Sequence, residues 1–424
     1  MLEASGADAP APLDTTDGVA VTDREPRRPT TAVRRPGGPL SRPRAAARPV
    51  RPSRDPFLDN AKFLLIVLVV VGHNWYPAID DARLVKAAYL VVYTFHVPAF
   101  VLLSGYASRR FEGRPKQWRK LLVGVLVPYL VFQTAYAAEA AALSGKAFAL
   151  HLSGPIYVCW FLLSLFVWRA STPLWRSLPR PVLIAVVVSL AAGVTVTSTA
   201  FALSRTLQLL PWFVLGLQLQ RRHFDLLRRT RVRVGAVAVL AAAAVVAVIV
   251  APGVDVRWFD REWDADDLHV PAALDPVLAL GLDLVTVVLI AAVLALVPRR
   301  RTWLTRLGAL TMYPFLLHGL VTRVLQHAGL HRALIGMGAG GMVLLTAGAV
   351  LLTVLLALPV VRTLTRWAVE PGSLRMLRER PSSPPPPPPG DRGPGTAGPD
   401  LRLLDPAAAA EPRSGTGAAP GRRS

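Results

Sequence analysis

The sequence is poor in cysteine and in charged residues. Its single cysteine, Cys159, lies in an apolar segment, which excludes an intrachain disulfide and a multi-cysteine metal site. We therefore expect neither redox chemistry nor a bound metal. Only 18% of the 424 residues are charged, whereas 52% are hydrophobic and the mean hydropathy is +0.40. This balance is typical of integral membrane proteins and argues against a soluble enzyme.

Acidic residues are also scarce, with 27 Asp and Glu against 48 Lys and Arg, and the formal net charge is +21. Such an excess of positive charge can indicate nucleic acid binding. Here, however, the basic residues form short clusters between apolar runs, which is the pattern of membrane topology. We therefore expect the lipid bilayer, and no nucleic acid, as a partner.

Long apolar runs are missing from both ends of the chain. Residues 1–54 are basic and rich in proline, without the apolar core of a cleavable signal peptide, and they predict a disordered tail. Residues 371–424 contain PSSPPPPPPG and GTGAAPGRRS and predict a second disordered tail, rich in proline and glycine. The folded domain is therefore expected between residues 55 and 370.

Between the tails, apolar runs follow one another closely. A helix needs about 20 apolar residues to cross roughly 30 Å of hydrocarbon, and ten runs approach this length. Their approximate spans are 61–79, 86–108, 120–143, 151–169, 181–198, 205–219, 232–251, 276–297, 307–325 and 335–361. The predicted fold class is all-α, a polytopic membrane protein with about ten transmembrane helices. An even number of spans places both termini on one side.

Basic residues in the connecting loops predict which side this is. The second, fourth, sixth and eighth loops read RRFEGRPKQWRK, RASTPLWRSLPR, QRRHFDLLRRTRVR and PRRRTWLTR, and together they hold 19 Lys and Arg residues. Cytoplasmic loops carry such an excess. We therefore predict a multi-pass protein of the cell membrane with both termini in the cytoplasm. The acidic loop DVRWFDREWDADDLHV is then expected outside.

Three histidines are expected at membrane depth, where an ionisable side chain is costly and usually serves a function. His73 lies eleven residues after Lys62, which places both on one helix face about 16 Å apart. His96 and His318 should lie at similar depths in the second and ninth helices. Each alone is equally compatible with a satisfied polar contact between helices. Three imidazoles at one depth, above basic cytoplasmic loops that could hold phosphates, indicate proton transfer from a hydroxyl during transfer from a phosphate-bearing donor.

Six apolar motifs along the chain carry a family resemblance. They read RDPFLDNAKFLLIVLVVVGH, YTFHVPAFVLLSGY, PYLVFQ, CWFLLSLF, LPWFVLGLQL and YPFLLHG, in this order, between about residues 54 and 365. In order and spacing the chain resembles the integral-membrane acyltransferase-three family, in particular its fucose O-acetylase-like branch. The first motif of that family is a basic residue followed by ten residues and a histidine. It corresponds to Lys62 and His73 here.

The resemblance implies transfer of an acyl group, usually acetyl, from acyl-CoA to a hydroxyl of a glycan, a glycolipid or another small exported molecule. It implies His73 as the catalytic residue, either as general base or as a transient acyl carrier. Lys62 would neutralise donor phosphate or orient the site, although a snorkelling helix anchor is its plainer role. His96 and His318 are expected to orient or contact the substrates.

The donor's phosphates are expected on the loop after the second helix. The family tends to carry two arginines spaced by two residues there, and this chain has Lys116 and Arg119 instead. Lysine lacks the bidentate fork of arginine. Arg110 and Lys120 lie on the same loop and are expected to share the coenzyme's charge, unless these cations only enforce topology.

Two further features lie in the outer part of the predicted bundle. Asp283 and Arg323 belong to the eighth and ninth helices and should lie at comparable depths, so we predict that they form an ion pair. Trp258 and Trp263 belong to the acidic outer loop. Aromatic rings among acids are compatible with stacking on a sugar acceptor, although such a loop is more often a solvated lid.

Two other functions fit the same pattern. A polyprenyl-phosphate-sugar glycosyltransferase would use acids in its first outer loop, where Asp80 and Asp81 lie. A proton-coupled transporter or flippase would use the histidines to relay protons without covalent chemistry. Transfer of label from acetyl-CoA to a product would separate acylation from both alternatives.

Overall fold

The part of the chain that the structure describes is helical throughout. The computed structural model describes residues 55–196, 200–263, 265–266 and 268–373. All regular secondary structure within these ranges consists of helices. The predicted tails, 1–54 and 371–424, lie outside the described residues except for 371–373. The all-α prediction is therefore confirmed for the described ranges.

Eighteen α-helices follow one another along these ranges. The first nine are α1 Pro56–Trp75, α2 Arg83–Ser108, α3 Pro115–Leu121, α4 Val127–Ser144, α5 Cys159–Ala170, α6 Thr172–Ser177, α7 Pro181–Thr195, α8 Leu203–Gln208 and α9 Leu210–Gln218. The other nine are α10 Arg221–Leu226, α11 Thr230–Val250, α12 Arg257–Asp260, α13 Asp275–Leu296, α14 Trp303–Gly308, α15 Met312–His327, α16 Leu330–Gly336, α17 Gly338–Leu356 and α18 Pro359–Val369. A π-helix, Leu122–Leu126, joins α3 to α4.

Six helical segments of the described chain are long and apolar enough to cross a membrane. They are Pro56–Ala78, Arg83–Ser108, Pro115–Ser144, Thr230–Gly253, Asp275–Leu296 and Gly338–Leu356. The segments on either side of Leu209 are bent by 53° and make a seventh only if both halves form one span. The predicted number of ten transmembrane helices is therefore not confirmed.

Several of the other predicted spans form shorter helices, for local reasons. In the run 151–169, helix begins only at Cys159, because Pro155 and a left-handed φ of 55° at Tyr157 keep the preceding chain irregular. Helices α5 and α7 are apolar but contain 12 and 15 residues. The bend between α8 and α9 lies beside Pro211, which lacks the N–H that a continuous helix would use.

Helix α1 packs against α2, α14, α15 and α17, and an asparagine anchors each of its ends. We call the end where α1 begins proximal and the other end distal. At the proximal end the Asn60 amide donates to the carbonyl oxygens of Pro298 (2.8 Å) and Arg300 (3.1 Å). At the distal end Asn74 Oδ1 accepts from His331 Nε2 at 2.8 Å. Both asparagines are buried, so these bonds fix the rotation of α1.

Helix α2 accommodates a proline and a glycine through its neighbours. Pro98 has no N–H, which leaves the Thr94 carbonyl without its helical donor. The Thr286 hydroxyl of α13 lies 3.0 Å from that oxygen. A Cβ added at Gly105 would lie 2.1 Å from the carbonyl oxygen of Phe213 in α9. Helices α2 and α9 therefore pack backbone against backbone at this point.

The two charges predicted to pair with each other have other partners. Asp283 Oδ1 lies 2.6 Å from Arg261 Nη2, and both residues are buried. Arg323 Nε lies 3.0 Å from Glu139 Oε2. The prediction of an Asp283–Arg323 pair is therefore wrong. The loop before α13 turns back through a left-handed φ of 52° at Arg261, and α4 packs against α15, which brings Glu139 to Arg323.

The buried pair of Arg261 and Asp283 yields a stability prediction. Asp283→Ala should lower the free energy of unfolding by about 3–5 kcal/mol, because it leaves a buried guanidinium without its carboxylate. Glu112→Ala breaks the exposed pair with Arg114 and should cost less than about 1 kcal/mol. Thermal unfolding in detergent measures both. Equal losses in the two variants would contradict the expected difference between a buried and an exposed ion pair.

Candidate active site

Two histidines from distant parts of the chain form a pair inside the bundle. His73 Nδ1, from α1, lies 2.9 Å from His318 Nε2, from α15. The ring planes differ by 10° and the centroids are 5.2 Å apart. With the nitrogens this close, the rings meet edge to edge almost in one plane, and the hydrogen bond lies along that plane. We call these two residues the imidazole pair.

The backbone decides which nitrogens of the imidazole pair carry hydrogen. His318 Nδ1 lies 2.7 Å from the Pro314 carbonyl oxygen, which only accepts, so Nδ1 is the donor. The Nε2 of a neutral His318 is then an acceptor, and His73 must donate to it through Nδ1. This assignment follows from the hydrogen-bond network. It leaves a lone pair on His73 Nε2, and His73 keeps accessible surface whereas His318 is buried.

The third predicted histidine lies near the pair without joining it. His96 is buried, and its Nδ1 lies 2.9 Å from the Val92 carbonyl of its own helix. Tyr93 packs edge-on against its ring with centroids 4.4 Å apart. Among the hydrogen bonds of the described ranges, none joins His96 to His73 or His318. The structure therefore brings together two of the three predicted imidazoles.

Tyr157 completes the cluster and was not among the residues predicted from the sequence. Its ring centroid lies 4.7 Å from that of His73 and 5.7 Å from that of His318. Its hydroxyl is buried and has no hydrogen-bond partner among the described residues. Its left-handed φ of 55° is unfavourable for a bulky side chain, and such strain concentrates at functional sites. The signal available in the sequence was Gly154 and Pro155, which interrupt the predicted span.

Gly319 makes room for the tyrosines beside the imidazole pair. A Cβ added at Gly319 would lie 2.3 Å from the Tyr136 hydroxyl and 2.3 Å from the Tyr157 ring. The Tyr136 hydroxyl donates to the Leu316 carbonyl at 2.9 Å, which holds that ring in place. The residue after His318 must therefore be small for Tyr157 to reach the histidines.

Lys62 lies at the proximal end, away from the imidazole pair. Its Nζ forms an ion pair with Asp59 Oδ1 at 3.2 Å, and 36% of its side chain remains exposed. Eleven residues of helix separate it from His73, about 16 Å along the axis. It therefore does not contact the imidazoles, and its expected role at the donor's entrance stays a prediction.

The cations predicted to hold donor phosphates lie on an ordered proximal loop. Gln117 ties this loop together by donating to the Arg110 carbonyl at 2.8 Å and accepting from the backbone N–H of Glu112 at 2.8 Å. The set comprises Arg110, Lys116 and Lys120, which are exposed, and Arg119, which is half-buried. Phosphate binding by this set stays a prediction.

The two predicted acceptor tryptophans lie together at the distal end. Trp258 and Trp263 both line a cavity of about 10 Å³, which has room for about one water molecule and none for a sugar ring. Arg205 holds the loop down, with Nη2 at 2.6 Å from Glu262 Oε2 and Nε donating to the Asp260 carbonyl at 3.0 Å. Burial raises the pKa of Asp260 to about 6, although Arg205 opposes the shift. The arrangement resembles a closed lid.

No group of three or more His, Cys, Asp or Glu side chains in the described ranges is placed to hold a metal ion. Cys159 is buried with a free thiol. The imidazole pair and the neighbouring tyrosine are the groups of this site that can act on a substrate. A lone pair on a neutral imidazole accepts a proton from a hydroxyl or attacks a carbonyl carbon.

The crowding at Gly319 yields a second stability prediction. Gly319→Ala should lower the free energy of unfolding by about 1–3 kcal/mol, because the added methyl displaces two tyrosine rings. Gly348→Ala is the matched control on α17, since no heavy atom lies within 4 Å of its added Cβ. The control should be neutral or slightly stabilising. Thermal unfolding of both in detergent makes the comparison, and a neutral Gly319→Ala would contradict the packing described here.

Comparison with known proteins assigns the chain to a family. A family model described as an acyltransferase domain matches residues 55–362, which is more than half of the chain. No curated protein and no solved structure matches the chain. The matched region contains α1 through α17, and with them both members of the imidazole pair. The chain therefore belongs to the acyltransferase-three family of membrane acyltransferases.

Proposed function

We propose that this protein is an O-acyltransferase that moves an acetyl group from acetyl-CoA to a hydroxyl of a sugar, an envelope glycan or another exported molecule. The observation that carries the proposal is the imidazole pair, which leaves an unprotonated Nε2 on His73. The motif resemblance to fucose O-acetylases supports a sugar hydroxyl as the acceptor.

In the first step, His73 Nε2 takes the proton of the acceptor hydroxyl while the hydroxyl oxygen bonds to the thioester carbonyl carbon. His73 then carries a positive charge, which its Nδ1–H shares with His318 through the hydrogen bond of 2.9 Å. The Pro314 carbonyl keeps His318 in the accepting tautomer. A positioned general base of this kind contributes about 10²–10⁴-fold to the rate.

In the second step, the carbon–sulfur bond breaks and His73 Nε2–H returns the proton to the thiolate sulfur. The products are the acetyl ester of the acceptor and the free thiol of coenzyme A. Direct attack of His73 Nε2 on the thioester would instead give an acetyl-histidine. Trapping a single turnover with labelled acetyl-CoA, in the absence of acceptor, separates the two routes.

Between the two steps, the former carbonyl oxygen carries negative charge. The Tyr157 hydroxyl is the donor that we assign to this oxygen, because its ring lies beside both imidazoles and the hydroxyl is buried without a partner among the described residues. A donor held in place before the reaction needs no reorganisation in the transition state. The strained backbone of Tyr157 is consistent with such a role.

The two substrates would approach from opposite ends of the bundle. With the proximal end in the cytoplasm, as the loop charges predict, acetyl-CoA arrives beside Lys62 and both termini lie on that side of the cell membrane. The acceptor arrives from the distal end, past the loop that carries Trp258 and Trp263. Contact of these tryptophans with a sugar requires the loop to open, because the cavity between them holds about one water molecule.

Removing either imidazole should abolish most of the transfer. His73→Ala should lower the rate by about 10²-fold or more, and His318→Ala by nearly as much. The double variant should be no slower than His73→Ala, because the two rings act as one unit. The measurement is transfer of labelled acetyl from acetyl-CoA to product in membranes with equal amounts of protein. His327→Ala, exposed on the same helix α15, is the control and should keep the full rate.

Three results would contradict this assignment. Retention of more than about a tenth of the rate by His73→Ala would remove it from a general-base role. Multiplicative losses in the double variant would show that the two rings act independently. Dependence on a lipid-linked sugar, or on a proton gradient alone, with no labelled product would favour the glycosyltransferase or the transporter.

Tyr157→Phe should separate catalysis from stability. It removes only a hydroxyl that has no partner in the described chain, so the melting temperature should not fall. The rate constant kcat should fall by about 10²-fold, the usual loss for one oxyanion donor. Tyr136→Phe is the control, because the Tyr136 hydroxyl donates to the Leu316 carbonyl. Its loss should lower the melting temperature and change kcat little. An unchanged kcat in Tyr157→Phe would contradict the assignment of Tyr157 as the donor to the oxyanion.

A further inference from the structure

A cavity of about 220 Å³ opens at the proximal end of α1. Aromatic rings and guanidinium groups dominate its lining, which consists chiefly of Phe57, Tyr106, Phe224, Arg221, Arg228 and Arg299. We call it the arginine cavity. None of the four cations predicted to hold donor phosphates on the 109–120 loop lines it. Its chemistry therefore needs an explanation of its own.

The rings of the arginine cavity pack against one another, with Phe57 and Phe224 buried and Tyr106 partly exposed. Phe224 packs edge to face on Tyr106, with centroids 4.9 Å apart and planes at 86°. It also packs against Phe57, with centroids 5.5 Å apart. The Arg109 guanidinium lies 3.6 Å from the centre of the Tyr106 ring and covers one of its faces. A planar ring of a ligand would therefore contact the part of Tyr106 that remains exposed. An aromatic wall beside arginines suits a ligand that carries a heterocycle as well as phosphate.

Two arginines at the mouth of the cavity are only loosely neutralised. Arg221 lies 3.7 Å from Asp55, and Arg228 lies 3.8 Å from Asp225, both near the limit of ion pairing. Their side chains are 79% and 65% exposed. Exposed pairs of this kind contribute little energy. Both guanidinium groups can therefore turn to a more strongly charged partner such as phosphate.

Arg299 is a more rigid cation beside the rings. Its guanidinium carbon lies 4.2 Å from the centre of the Phe57 ring, and its Nη2 donates to the Phe224 carbonyl at 2.6 Å. Burial and then the positive charge of Arg228 lower the pKa of Arg299. No ion pair in the described chain joins Arg299 to a carboxylate. An incoming anion would relieve this unfavourable environment.

The size and position of the arginine cavity suit one end of a long molecule. Pockets that enclose a whole drug-sized ligand measure roughly 300–1,000 Å³, so this cavity fits only a ring and adjacent phosphates. Leu58 lines the cavity and precedes His73 by fifteen residues, about 22 Å along α1 and about 60° around it. Lys62 lies between them on the same face. A flexible arm along this face would join the cavity to the imidazole pair.

We infer that the arginine cavity binds the nucleotide end of the acyl donor, with the purine ring against Tyr106 and the phosphates on the three arginines. The inference rests on the proposed function, because it gives a place to the donor of that reaction. It makes the cavity, and not the 109–120 loop, the main phosphate site. An anionic lipid headgroup shares the phosphate but lacks the ring.

The test measures binding of radiolabelled coenzyme A to the full-length protein in phosphatidylcholine nanodiscs. Adenosine 3′,5′-bisphosphate should displace the label better than pyrophosphate does, and phosphatidylglycerol vesicles should not displace it. Arg221→Ala and Arg228→Ala should each weaken binding about tenfold. The KM for acetyl-CoA should rise by a similar factor with kcat unchanged. The control, Arg231→Ala, removes the same charge from an exposed position outside the cavity and should change binding less than about twofold.

Other outcomes would overturn the inference. Displacement by phosphatidylglycerol but not by adenosine 3′,5′-bisphosphate would assign the cavity to a lipid headgroup. Unchanged binding in Arg221→Ala and Arg228→Ala, together with weaker binding in Lys116→Ala, would show that the 109–120 loop binds the phosphates. Absence of any coenzyme A binding would also reject the cavity as the donor site. In each case, acetyl transfer that depends on His73 would leave the proposed function standing. Nucleotide binding without any acetyl transfer would instead contradict the proposed function.

Discussion

The hydrogen bond between His73 and His318 is the contact on which the proposed chemistry depends. It joins two helices that are far apart in sequence, and it forms only if both helices have the correct rotation. Asn60 and Asn74 set that rotation for α1 by bonding to other segments at its two ends. A shift of α1 by one residue would turn His73 by about 100° and break the pair. Much of the surrounding packing can therefore be understood as support for one hydrogen bond.

The two ends of the bundle differ in chemistry, and the imidazole pair lies between them. The proximal end presents the exposed loop cations and a cavity lined by arginines and aromatic rings. At the distal end, Arg205 contacts Glu262 and Asp260 in the loop that also carries the two tryptophans. An anionic donor and a neutral hydroxyl acceptor require different entrances. The asymmetry of the bundle is consistent with that requirement.

Residue spacing predicted part of this site correctly because a helix converts sequence distance into depth. The all-α class and the similar depth of His73 and His318 follow from rise per residue and from the order of the spans, whereas their contact does not. Spacing does not give the rotation of one helix relative to another, so the partner of Asp283 was not predictable. Tyr157 reaches the histidines through a left-handed turn and the space beside Gly319. Neither the turn nor the glycine is marked by a hydrophobic periodicity in the sequence, and both lie where a continuous span was expected.

The Pro314 carbonyl also limits where a proton on the imidazole pair can go. An amide oxygen accepts a hydrogen bond but does not take up a proton near neutral pH, so the row of groups that begins at His73 Nε2 stops at this oxygen. A proton taken up at one ring must leave from the same nitrogen. The two rings therefore cannot pass a proton onward, and an acyl-transfer cycle at this site would not discharge the electrochemical gradient of the membrane.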